Sequence, residues 1–87
     1  MLEGMRILVI EDDRETASFL HKSLKESGHN PEAAFDGESG LAMAREGGFD
    51  VLIVDRMLPR LDGLSLVKPL RAGGDRTPVL FLSALGE

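Results

Sequence analysis

The chain reads as an α/β domain built on a parallel sheet, and three observations point there. Strand and helix signals alternate from end to end of its 87 residues, the pattern of a parallel sheet covered by helices. The strand signals are continuous apolar runs rather than alternating ones, as in strands buried on both faces. Two of those runs stop at acidic residues: Arg6-Ile7-Leu8-Val9-Ile10 ends in Glu11-Asp12-Asp13, and Val51-Leu52-Ile53-Val54 ends in Asp55. Both acidic sites then fall at strand C-termini, the edge of an open α/β sheet where ligands bind.

Taken in order, the first strand is followed by a helix that Asp12 or Asp13 can cap, running to about Ser27, with Ala17, Leu20 and Leu24 spaced to face the sheet and Gly28 closing it. Asn30-Pro31 opens a short segment, Glu32-Ala33-Ala34-Phe35, whose weak apolar content and leading Pro suit an edge strand. Asp36-Gly37 turns the chain. A short helix with Leu41 and Ala44 stops at Gly47-Gly48. The apolar strand ending at Asp55 comes next, then a loop from Arg56 to Gly63, then a third helix with Leu64, Val67, Leu70 and Arg71 that ends near Gly73-Gly74. Pro69 lies inside that helix, where it removes a donor and crowds the carbonyl of Ser65 at a cost of ~3 kcal/mol, so a kink or an early stop is expected. Pro78 introduces a fourth strand, Val79-Leu80-Phe81-Leu82, ending at Ser83-Ala84.

The length suits one domain, with only about 60% of the unfolded surface buried. With 43% hydrophobic and 29% charged residues the composition is that of a soluble globular chain, and no apolar stretch approaches a membrane span. Met1 leads almost directly into the first strand, leaving no room for a signal peptide, so a cytoplasmic location is expected. The absence of cysteine excludes disulfides, thiolate catalysis and sulfur-based zinc sites. Ten Lys+Arg against fifteen Asp+Glu, net −5, argues against nonspecific attraction to nucleic acid by this segment.

Each candidate site residue has a plain structural reading beside its functional one. Asp12 and Asp13 are good N-caps, Glu15 stands three residues after Asp12 as in a capping box, and acids favour the positive end of a helix. Asp55 and Ser83 can each simply end a strand. Their convergence on one edge favours function: carboxylates gathered there suit a hard cation such as Mg²⁺, and with it phosphoryl chemistry. His21 and His29, on a helix and in a turn, read as surface residues, and Arg14, Glu15, Lys22, Lys25 and Glu26 as the solvated face of the first helix.

The linked segments ILVIEDD, VLIVDRMLPRLDG and TPVLFLSA, in this order and spacing, make the chain resemble the receiver domain of two-component response regulators over its whole length. The resemblance implies a flavodoxin-like, doubly wound parallel sheet of order 2-1-3-4-5. It implies that Asp55 is the phosphoacceptor, that Asp12 binds Mg²⁺ directly and Glu11 through water, that Met57 gives its backbone carbonyl to the metal, and that Ser83 is the switch hydroxyl. Asp13 is then the helix cap. A histidine kinase is the implied phosphate donor, the domain is not itself an enzyme, and the loop style resembles receivers joined to winged-helix domains, so DNA would be reached only through an output domain outside residues 1–87.

Residues 1–87 correspond to the family's first seven elements, strand to strand. The family's following helix, its fifth strand with a phosphoryl-pairing Lys, its aromatic switch residue and its last helix have no counterpart in this sequence. The apolar fourth strand is then expected to be an unpaired edge, which predicts a homodimer or swapped assembly. Two other functions compete. A receiver-like interaction module would work without phosphorylation. A Mg²⁺-dependent phosphohydrolase using an aspartyl-phosphate would need a second Asp two residues after the first, and position 57 is Met.

Overall fold

A computed structural model describes residues 4–56, 58 and 63–82. Seven elements alternate along the chain: β1 (Arg6–Ile10), α1 (Arg14–Glu26), β2 (Asn30–Ala34), α2 (Gly37–Glu46), β3 (Val51–Asp55), α3 (Gly63–Ala72) and β4 (Val79–Leu82). The four strands form one parallel sheet in the order β2-β1-β3-β4. Alternation along the strands divides the core. Leu8, Ile10, Leu52 and Val54 pack with Ala44 of α2 and with Leu66 and Leu70 of α3, whereas Ile7, Val9 and Ile53 pack with Leu20 and Leu24 of α1. Helices therefore cover both faces, the doubly wound arrangement expected.

The helix ends follow their local chemistry. Asp13 caps α1, accepting from the Glu15 N–H at 3.2 Å and from the Thr16 hydroxyl at 2.7 Å. Gly28, at φ +90°, takes the left-handed conformation that ends the helix and lets the chain return to the sheet. Asp36, read as part of a turn, is also the cap of α2, accepting from the Ser39 N–H at 2.7 Å, so the helix begins at once with Gly37. At Gly40 an added Cβ would stand 2.6 Å from the Ile10 side chain, so α2 lies closer to β1 than any other residue would allow.

Two expectations are corrected. The edge strand spans Asn30–Ala34 rather than 32–35, and Pro31 lies within it, paired with Ile7. The Asn30 N–H donates to the Met5 carbonyl at 2.9 Å, and alternation turns the Pro31 nitrogen outward, where β2 is the edge of the sheet among the described residues and no donor is missed. In α3, of the kink or early stop expected at Pro69, the early stop is not found: the helix continues to Ala72 and ends, as expected, at Gly73-Gly74. Leu66 and Leu70 are 0% and 2% exposed, and burying two leucines contributes ~1.5–3 kcal/mol each, enough to offset the ~3 kcal/mol cost of the proline. The Pro69 carbonyl itself accepts from the Gly73 N–H at 3.1 Å.

Candidate functional site

Parallel strands in register bring the acidic residues together. Ile10 is paired with Val54, so Glu11 and Asp12, just past the end of β1, stand beside Asp55, the last residue of β3. One carboxylate oxygen from each of Glu11, Asp12 and Asp55 lies within 4.8 Å of the other two. Asp12 is exposed, Asp55 half-buried and Glu11 only 5% exposed. The backbone fixes Glu11 from both sides: its N–H donates to the Ala34 carbonyl at 3.0 Å and its Oε2 accepts from the Asp13 N–H at 2.9 Å. With Asp13 committed to capping α1, the sequence ambiguity between cap and ligand resolves into one cap and a three-carboxylate cluster.

The cluster is electrostatically loaded. Burial pushes the Glu11 carboxyl up from 4.5 to about 7; hydrogen bonding to and repulsion from Asp55 push the same way, as does Asp12, and only the Asp13 N–H opposes them. Such a group holds a proton near neutrality unless a cation supplies the missing positive charge. The donor set fits a small hard cation: two oxygens bound directly at 2.0–2.1 Å lie at most ~4.2 Å apart, and a third held through water lies farther out. A spread of up to 4.8 Å accommodates two direct ligands and one through water.

Met57 and Ser83, the other expected site residues, lie outside the described residues. His29 is remote from the cluster, its Nδ1 accepting from the Met5 N–H at 3.0 Å near the start of β1. His21 lies on α1 beside Ala33 and Phe35. Arg14, read as part of the solvated face of α1, is exposed, and it also stacks its guanidinium 4.0 Å over the Phe35 ring. Its only sequence signal is position, a cation in the first turn of α1 and an aromatic residue directly after β2.

Comparison with known proteins adds to this geometry. A family described as the response regulator receiver domain matches residues 7–87. The chain is 40% identical over 83 residues, 95% of its length, to the transcriptional regulatory protein DltR of Streptococcus agalactiae, and covers 37% of that protein. It is 45% identical over 80 residues, 92% of its length, to the response regulator MprA of Mycobacterium avium, covering 35% of it. The chain thus spans just over a third of these relatives. Among solved structures, the receiver domain of the Francisella response regulator 1452 superposes with a TM-score of 0.89 at 39% identity, over 97% of this chain and 69% of that one. No helix among the described residues is long and apolar enough to cross a membrane.

Proposed function

The chain belongs to the response regulator receiver domain family, and from that membership we propose that it accepts a phosphoryl group from a histidine kinase onto Asp55, with Mg²⁺ bound beside it. The observation that carries this reading is the convergence of Glu11, Asp12 and Asp55 within 4.8 Å at one sheet edge. Asp55 is half-buried, held at the end of a core strand yet open to a donor. A carboxylate oxygen of Asp55 attacks phosphorus, the new O–P bond forms as the donor's P–N bond breaks, and the imidazole leaves with the electron pair. Asp12 is the direct metal ligand together with Asp55 and the Met57 carbonyl, while Glu11 acts through water. A bound Mg²⁺ supplies positive charge against the phosphoryl oxygens. Ser83 bonds the phosphoryl group after transfer and so reports it to the rest of the molecule.

DNA is reached through an output domain elsewhere in the polypeptide, as the names of the transcriptional regulators among its relatives suggest, and the protein works in the cytoplasm. Self-association through β4 is part of the same proposal, supported by Leu80 at 60% exposure on a strand at the edge of the described sheet. Incubation with acetyl phosphate tests the reading. Label should enter the chain only when Mg²⁺ is present, and labelling that is equally fast in EDTA would reject it.

A further inference from the structure

A groove of about 180 Å³ lies between α1 and the edge strand β2, lined by Arg14, Ala17, Ser18, His21, Ala33 and Phe35. Arg14, Ser18 and His21 recur at helical spacing, one stripe on the β2 side of α1. We propose that this groove binds an acidic segment of a partner protein, one carboxylate being gripped by Arg14. It lies on the far side of β1 from Asp55, and none of its lining residues belongs to the carboxylate cluster.

The chain contains its own comparison. Arg6 stacks 4.3 Å over Phe49 and turns its N–H edge to a carboxylate: Nη2 and Nε donate to Glu32 Oε2 at 2.8 and 3.1 Å, while Nη1 reaches the Gly47 carbonyl at 3.3 Å. Arg14 has the same stacked face, at 4.0 Å on Phe35, but among the described residues the ion pair is that of Arg6 with Glu32, and no hydrogen bond takes up the Arg14 edge. A stacked guanidinium is pre-organised, with a planar fork matched to a carboxylate. The second arginine therefore offers to an outside carboxylate what the first gives to an inside one. Ser18 and His21 add polar groups one and two turns along.

Size selects the occupant. A cofactor or metabolite pocket runs to ~300–1,000 Å³, whereas this groove has room for one acidic side chain, its methylenes against Ala33 and the Phe35 ring. Charge agrees at the groove itself: in a chain of net −5, its lining carries Arg14 and no carboxylate, so an acidic side chain meets a cation here and repulsion at the carboxylate cluster.

The test is a titration of the isotope-labelled chain, free of divalent cations, with a capped tetra-glutamate peptide, followed by NMR. Saturable shifts are expected at the Arg14 side chain, Ser18, His21 and Phe35. Arg14→Gln should weaken binding about tenfold, the effect of losing one charge-assisted pair, and Arg45→Gln on α2 should leave it unchanged. Arg14→Lys keeps the charge without the fork and should fall clearly below the wild-type chain. Absence of saturable shifts, shifts centred elsewhere, or equal affinity in either Arg14 variant would overturn the proposal. Retention of the wild-type spectrum outside the groove shows that each variant is folded.

Discussion

Raising the pH of the metal-free chain from about 4.5 to about 7 should weaken the fold, because the Glu11 carboxyl titrates near 4.5 when unfolded but near 7 when folded. Between those values the folded state binds more protons than the unfolded one, so stability falls as pH rises. At 1.36 kcal/mol per pH unit, the full loss is about 3 kcal/mol, a large share of what holds a domain of this size together. Asp75 works in a different window. Its bonds from the Thr77 hydroxyl and N–H lower its pKa from 3.8, so its contribution is present above 3.8 and is lost only as pH falls further. Urea unfolding at pH 4.5, 5.5, 6.5 and 7.5, in EDTA and then in Mg²⁺, measures the slope. The wild-type chain should lose stability across the series in EDTA, Glu11→Gln should lose little, and Mg²⁺ at a hundredfold excess over its Kd should return about 2.7 kcal/mol at the upper end. A wild-type profile that rises through this range, or a Glu11→Gln profile parallel to it, would refute the reasoning.

Other consequences are read with simple assays. Asp12→Ala should weaken Mg²⁺ binding, followed by amide shifts near Glu11 and Asp55, by at least tenfold, and unchanged affinity would remove Asp12 from the ligand set. Leu66→Ala should cost about 2–5 kcal/mol in urea unfolding, since Leu66 is fully buried in the larger core cluster. Gly40→Ala should cost about 1–3 kcal/mol, because its Cβ would stand 2.6 Å from the Ile10 side chain. Light scattering at micromolar concentration should report a dimer that Leu80→Lys disperses, the substitution placing a charge on the exposed edge strand.

Much of this architecture was legible because it rests on patterns that local sequence carries. The runs at 7–10 and 51–54 are apolar at consecutive positions, as a strand covered on both faces requires, and the acids after them marked one sheet edge; the same pattern at 79–82 forms β4, where Leu80 and Phe81 are nevertheless exposed. What sequence could not settle depends on tertiary contact. Pro69 argues for a helix end until Leu66 and Leu70 are seen buried beneath it. Pro31 argues for a strand that starts later until the outward direction of its nitrogen is known. Asp12 and Asp13 are equivalent as caps on paper, and the hydrogen bonds from Glu15 and Thr16 to Asp13 distinguish them. The raised Glu11 carboxyl and the Arg14–Phe35 stack come from residues distant in sequence meeting across β1 and its neighbours, information that no single segment holds.

Phosphoryl transfer to Asp55 is read directly from the intact mass of the chain after exposure to acetyl phosphate and Mg²⁺. The wild-type chain should gain ~80 Da, the mass of one phosphoryl group, and Asp55→Asn should gain nothing under the same conditions. An Asp55→Asn chain that takes up the same mass, or a folded wild-type chain that takes up none with its Mg²⁺ site saturated, would contradict the account.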